Sequence, residues 1–190
     1  MIRIGILGDI GSGKSFVAKS FGYPVFNADN EVEKLYKKNR KIFTMLNKAL
    51  PKSITQFPIK KKEVTKTILT NKNNLRKIIK IIHPEIRKKM NIFIKKNKKK
   101  RIIILDIPLL LENKINRKKD VLIFVDSKKG EILKRLKKRK NFNHKITNKF
   151  RKIQLSLDYK KKKSNFIIKN DFSQKSVKKE INTILKKIYL

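Results

Sequence analysis

A glycine-rich segment near the start of the chain, residues 8–15, carries the strongest chemical signal in the sequence. It reads GDIGSGKS and matches the pattern G-x-x-x-x-G-K-S/T at every fixed position. Glycines let backbone N–H groups turn inward around a phosphate, and the positive end of a following helix adds to the attraction. We expect Lys14 to reach the β- and γ-phosphates of a nucleotide and the Ser15 hydroxyl to ligate Mg²⁺.

The motif predicts a site for ATP or GTP but does not choose between a kinase, a GTPase and a motor. No Asn-Lys-x-Asp segment follows a predicted strand, so nothing in the chain favours a GTPase. The candidate ATP-binding residues are the loop and the residue after it: Gly8, Asp9, Ile10, Gly11, Ser12, Gly13, Lys14, Ser15 and Phe16.

A carboxylate near a second predicted strand is the candidate general base. Asp29 comes two residues after Asn27, directly behind a short extended piece at residues 23–26. The carboxyl ends of parallel strands face the ligand crevice, so Asp29 could accept a proton from an attacking hydroxyl. The alternative from spacing alone is that Asp29 caps the helix that follows.

Short apolar runs predict the buried strands that must position these residues. The runs lie at residues 2–7, 101–108, 121–126 and 165–168. Helices are predicted beside them at residues 14–21, 131–140 and 177–189. Buried strands that alternate with helices indicate a parallel sheet covered on both faces.

The middle of the chain, from Asp29 to about Lys100, has a helical and very basic pattern. Apolar residues recur there at helical spacing: Val32, Leu35 and Tyr36, then Leu75, Ile78, Ile79 and Ile82. Pro51 and Pro58 bracket a break between helices.

The formal net charge of +39 invites a nucleic-acid interpretation, but only nine of the 53 basic residues are Arg. Lys, Ile and Asn share A/T-rich codons, and Lys is spread over the whole chain. A protein selected to recognise nucleic acid would use Arg for bidentate contacts. We therefore expect no specific nucleic-acid partner, weak salt-sensitive binding to polyanions, and solvated surfaces at the Lys runs 60–62 and 160–163.

Composition excludes several other classes. The chain of 190 residues has no Cys, so it has no disulfide framework, Cys zinc site or cysteine nucleophile. No apolar run approaches the roughly 20 residues of a membrane-spanning helix. The apolar start is too short for a signal peptide, and we expect a cytoplasmic monomer with no membrane partner.

Four segments in order resemble the dephospho-CoA kinase family. Residues 4–15 are similar to its start G-L-T-G-G-I-G-S-G-K-S, and residues 27–29 to its D-A-D. Residues 82–87 resemble its H-P-x-I-R element, and residues 106–112 its D-x-P-L-L-F-E; these two are the most specific. A weaker match places Arg139, Arg151 and Gln154 in a lid and its R-x-x-Q helix.

The resemblance implies transfer of the ATP γ-phosphate to the ribose 3′-hydroxyl of dephospho-CoA, which gives coenzyme A. It implies Asp29 as the base, with Lys14 and Arg139 at the transferring phosphate and Ser15 and Asp106 at Mg²⁺. The implied acceptor-binding residues are His83, Pro84, Arg87, Leu109, Leu110 and Glu112. From the residues alone, His83 could instead cap a helix, Leu109 and Leu110 could belong to the core, and Arg87 could be a solvated cation.

The chain departs from the family pattern at three places. Asp9 stands where the family has a glycine in the phosphate loop, and its carboxylate could repel a phosphate. Asn27 replaces the first acid of D-A-D, and Ser164 with Asn165 replaces an Ala-Asp pair. These departures bear on rate and metal affinity more than on identity.

The resulting hypothesis is an α/β P-loop NTPase fold, a three-layer sandwich with a parallel sheet of about five strands. We expect one kinase domain over residues 1–190, with a core of 1–28, 101–134 and 155–190. Within that domain, residues 29–100 form a helical acceptor-binding insertion and residues 135–154 a lid. The alternatives are another small-acceptor P-loop kinase, such as a nucleoside monophosphate kinase, and a nucleic-acid-binding ATPase.

Overall fold

The computed structural model describes residues 1–71, 73–139 and 142–189. In chain order its elements are β1 (Ile2–Gly8), α1 (Lys14–Ser20), β2 (Val25–Asn27), α2 (Ala28–Lys38), α3 (Arg40–Ala49), α4 (Lys61–Thr70), α5 (Asn74–Lys96), β3 (Ile102–Asp106), β4 (Val121–Asp126), α6 (Lys129–Lys137), α7 (His144–Lys152), α8 (Leu157–Lys162), β5 (Phe166–Lys169) and α9 (Gln174–Tyr189). No helix in these ranges is long and apolar enough to cross a membrane.

The chain divides into two compact units. The first, which we call the sheet unit, comprises Met1–Asn27 and the chain from Asn97 onward. The second, the helical unit, comprises Ala28–Lys96.

The sheet unit is built on five parallel strands in the order β2-β3-β1-β4-β5. All five residues of β3 are buried, as are Ile4 and Ile6 of β1, which is typical of parallel strands covered on both faces. Val17 and Ala18 of α1 and Val177 of α9 are fully buried in the same apolar cluster. The prediction of a P-loop α/β fold with about five parallel strands is confirmed.

The helical unit depends on one apolar face of its longest helix, α5. Leu75, Ile78, Ile82, Ile86 and Met90 of this helix are buried at spacings of three and four residues. Ile42 and Leu46 of α3 and Leu35 of α2 are buried as well. The apolar residues at helical spacing in this part of the sequence are therefore the residues that form a small helical core.

A buried ion pair lies at the amino-terminal ends of two strands. Arg3 Nη2 of β1 is 2.9 Å from Asp120 Oδ2, next to β4, and both side chains are almost fully buried. Burial lowers the pKa of Arg3 and raises that of Asp120, since each charge loses hydration. This buried pair lies at the amino-terminal end of the sheet, whereas the candidate site lies at the carboxyl ends of the strands.

The predicted bounds differ from the observed ones mainly at the ends of elements. The strand predicted at 101–108 ends at Asp106, and the helix predicted at 131–140 runs from Lys129 to Lys137. The end predicted for that helix, Lys140, lies outside the described residues. Cooperative pairing of strands and the loss of partners at helix ends shift such bounds by a few residues.

Candidate active site

The phosphate loop connects β1 to α1 with three glycines at positive φ. Gly8, Gly11 and Gly13 have φ values of 146°, 90° and 86°. A Cβ on Gly8 would lie 2.7 Å from the carbonyl oxygen of Val125, and one on Gly13 would lie 2.8 Å from the Phe172 ring. The loop therefore requires glycine both for its backbone conformation and for its close contacts with the ends of β4 and β5.

Lys14 is held across this loop. Its ammonium donates to the carbonyl oxygens of Gly8, at 3.2 Å, and Asp9, at 2.7 Å. The Lys14 ammonium, which the motif predicts to bind a nucleotide's phosphates, therefore already lies over the loop.

A polar cluster lies where β2 and β3 end. Asn27 and Asp106 are register partners at the carboxyl ends of these strands. Asp106 Oδ2 accepts hydrogen bonds from Ser15 Oγ and from Asn27 Nδ2, each at 2.5 Å. An Asp at position 27 would place a second carboxylate against Asp106, whereas Asn27 donates to it.

The donor set of this cluster fits magnesium. Mg²⁺ prefers oxygen ligands and is usually held by one or two protein groups together with water and phosphate oxygens. Ser15 Oγ and the Asp106 carboxylate provide two adjacent oxygens beside the phosphate loop. In the described ranges no group of three or more His, Cys, Asp or Glu residues could form a cage made of protein ligands alone.

Asp9, the departure inside the loop, is engaged on both sides. Its Oδ1 accepts from the backbone N–H of Ile10 at 2.6 Å, and its Oδ2 is 3.2 Å from Arg151 Nη2 of α7. The carboxylate that could repel a phosphate is therefore paired with a cation from the predicted lid.

Two residues that sequence reasoning missed anchor the loop from the neighbouring strands. Ser127 Oγ, after β4, and Asn170 Nδ2, after β5, both donate to the carbonyl oxygen of Ser12, at 2.9 and 2.8 Å. Ser127 directly follows β4 and Asn170 directly follows β5. That position, at the same edge of the sheet as the phosphate loop, was the available signal.

A second missed contact lies beside the loop. The Arg135 guanidinium stands 4.1 Å from the ring centroid of Phe172, whose φ of 65° is unusual for a residue with a side chain. Arg139 lies just after α6, and its backbone N–H donates to Leu136. The predicted contact of Arg139 with a transferring phosphate stays a prediction.

The segment after β3 divides between core and polar contacts. Leu110 is fully buried and lies against Gly5 of β1, whereas Leu109 is only half-buried. Leu110 is therefore a core residue, which was the alternative that the sequence left open for both leucines. The predicted contacts of Leu109 and Leu110 with the acceptor stay predictions.

Glu112 takes part in a buried ion pair that corrects one sequence-based expectation. Its Oε1 is 2.8 Å from Lys160 Nζ and accepts from the Leu155 backbone N–H at 2.9 Å, and Lys160 also donates to Gln154. The Lys run 160–163 was expected to be a solvated surface, but Lys160 is 1% exposed. One side of α8 faces the interior, so adjacent lysines of one run have different environments.

The helical unit contains the remaining candidates. Asp29 is exposed in the first turn of α2. Half-buried His83 and exposed Pro84 and Arg87 lie in the middle of α5, which continues through Pro84. The alternative that His83 caps a helix is therefore wrong.

Comparison with known proteins gives consistent results. A family model described as dephospho-CoA kinase matches residues 2–176. The dephospho-CoA kinase of Wolbachia pipientis wMel is 32% identical over 192 residues and covers 98% of each chain.

Two solved structures show the same fold. A Thermus thermophilus protein matches with a TM-score of 0.73 and 21% identity, covering 98% of this chain and 97% of its own. A dephospho-CoA kinase from Campylobacter jejuni matches with a TM-score of 0.61 and 24% identity, covering 98% and 96%. With the family model matching nearly the whole length, this chain belongs to the dephospho-CoA kinase family.

Proposed function

We propose that this protein transfers the γ-phosphate of ATP to the ribose 3′-hydroxyl of dephospho-CoA and so makes coenzyme A. The observation that carries the proposal is the family match over residues 2–176. The complete phosphate loop, with Lys14 held across it, supports the use of ATP as the donor.

The reaction replaces one P–O bond with another. The acceptor oxygen bonds to the γ-phosphorus, the bond from that phosphorus to the β–γ bridging oxygen breaks, and ADP leaves with that electron pair. Asp29 takes the proton of the 3′-hydroxyl. Lys14 offsets the charge on the phosphate oxygens, and Arg139 is proposed to add a second cation there.

Ser15 and Asp106 are the residues that would hold Mg²⁺. When bound, the ion neutralises charge on the phosphates during transfer. Asn27 fixes the orientation of the Asp106 carboxylate by its hydrogen bond.

The two predicted accessory regions have structural support. The helical unit Ala28–Lys96 is compact by itself, which supports the proposal that residues 29–100 form an acceptor-binding insertion with His83, Pro84 and Arg87. The ion pair between Arg151 and Asp9 supports the proposal that residues 135–154 form a lid.

A coupled assay with ATP, Mg²⁺ and dephospho-CoA tests the function, with a panel of nucleoside monophosphates as competing acceptors. We expect coenzyme A to form and the other acceptors to react poorly. ATP turnover on another acceptor, with dephospho-CoA left untouched, would overturn the proposal.

The Asp29→Asn variant tests the base. We expect kcat to fall by about 10²- to 10⁴-fold, with ATP binding measured by calorimetry unchanged. The matched control is Glu33→Gln, which neutralises an exposed acid on the same helix and should leave turnover intact. Full activity of Asp29→Asn would assign the base to another residue.

A further inference from the structure

A cavity of about 530 Å³ lies wholly within the sheet unit, against the phosphate loop. Ile132, Leu133 and Leu136 of α6 form one wall, and Leu155 and Leu157 lie at the segment that leads into α8. We call this cavity the lid pocket. Its volume lies within the roughly 300–1,000 Å³ of small-molecule sites.

Apolar side chains that remain exposed in the folded protein line the lid pocket. Leu133 is 46% exposed, and Leu155 and Leu157 are each 38% exposed. These are three of the nine large apolar side chains that are exposed in the described ranges. Exposed apolar residues that cluster in a concavity mark a binding site rather than random surface.

Charged side chains also line the lid pocket. Asp9 of the phosphate loop and Arg151 of α7, joined by their ion pair, both line it, together with Lys129 at the start of α6. A ligand with an aliphatic body and an anionic group that faces Arg151 and Lys129 would match this lining.

We propose that the lid pocket binds the pantetheine arm of dephospho-CoA, an inference that rests on the proposed function. The arm is uncharged, carries a gem-dimethyl group and joins a diphosphate at one end. The leucines would contact the dimethyl group, and Arg151 and Lys129 would face the diphosphate. The aliphatic arm matches the five Leu and Ile side chains of the lining, which outnumber its two aromatic rings, Phe142 and His144.

The KM for dephospho-CoA, measured beside kcat and the KM for ATP, distinguishes this proposal from binding of ATP in the lid pocket. Leu133→Gln places an amide in the apolar wall at a position that is already partly exposed. We expect KM for dephospho-CoA to rise about tenfold, with much smaller changes in kcat and in KM for ATP, since burial of one Leu-sized surface contributes a factor of this order. The control Ile167→Gln, at a 42% exposed residue of β5, should change none of the three.

A fragment tests the pocket without any variant. 4′-Phosphopantetheine should compete with dephospho-CoA but not with ATP. Saturation-transfer NMR on the wild-type protein should show its gem-dimethyl protons in contact with protein methyls. The inhibition constant should rise in Leu133→Gln and in Leu157→Gln by the same factor as KM.

Three results would overturn the proposal: a rise confined to KM for ATP, equal effects in the Ile167→Gln control, or no saturation of the fragment's methyl groups. Failure of the proposed function would look different. In that case the wild-type protein would not phosphorylate dephospho-CoA, while the fragment experiment would still report on the pocket.

Discussion

At the scale of single residues, Asp9 shows how a sequence departure can be accommodated locally. A carboxylate beside nucleotide phosphates is unfavourable by simple Coulomb repulsion. Here Asp9 bonds the next backbone N–H and pairs with Arg151, so its charge is offset before any ligand binds. We expect a bound phosphate to compete with Asp9 for the same guanidinium.

This competition predicts that Asp9→Asn tightens ATP binding. The amide can keep the bond to the Ile10 N–H, while Arg151 is released and one negative charge is removed. We expect a gain of about threefold to tenfold in affinity at low ionic strength, which shrinks as salt is added. Calorimetric titration with ATP at several salt concentrations measures it.

The control is Asp158→Asn, which makes the same charge change at an exposed residue of α8. Unchanged or weaker ATP binding by Asp9→Asn would mean that the ion pair positions Arg151 for the nucleotide rather than competing with it.

At the scale of elements, α8 is held in place by the buried charge of Lys160, which the sequence does not distinguish from the other lysines of the run 160–163. Lys160 brings this short helix against Glu112 and Gln154 by contacts of 2.8 and 3.0 Å. Glu112 follows β3, and Gln154 follows α7, so one ammonium group joins three parts of the sheet unit. Its neighbour Lys161 forms a half-exposed pair with Asp126.

We therefore predict unequal effects for two adjacent substitutions. Lys160→Met leaves Glu112 buried without its cation and should lower the free energy of unfolding by about 3–5 kcal/mol. Lys161→Met breaks a solvated pair and should cost about 1 kcal/mol or less. Urea unfolding of both variants tests the difference, and equal midpoints would contradict the burial of Lys160.

Adding Glu112→Gln to Lys160→Met isolates the charge. The double variant should recover part of the lost stability, because the buried carboxylate is then neutral. No recovery would indicate that packing of the Lys160 stem, rather than its charge, stabilises α8.

At the scale of the whole molecule, the surface carries nearly all of the basic charge. Within the described ranges only Arg3 and Lys160 are buried bases, and each has an acidic partner. The other described lysines and arginines are at least partly solvated. A net charge of +39 must therefore produce a strong positive field around the protein.

We predict that this field causes binding without sequence recognition. Random-sequence DNA and heparin should both bind at low salt and dissociate as salt rises, with affinity falling linearly on logarithmic axes. Neither should stimulate ATP turnover. Sequence preference, or a stimulated ATPase, would instead support the nucleic-acid-binding alternative.

The sequence alone was sufficient for much of this description. The motif at residues 8–15, the apolar strands and the helical spacing on α5 are local patterns, and local patterns follow from backbone geometry and burial. The family resemblance, confirmed by the match over residues 2–176, depended on motifs of the same local kind.

Tertiary structure decided what local pattern cannot contain. The contacts of Asp9 with Arg151, of Asn27 with Asp106 and of Lys160 with Glu112 join residues that are distant in the chain. Which lysine of a run is buried, and which leucines line a cavity, depends on how helices rotate against the sheet. That rotation is set by packing of the whole unit, so a charged residue's neighbours in sequence do not reveal its partners in space.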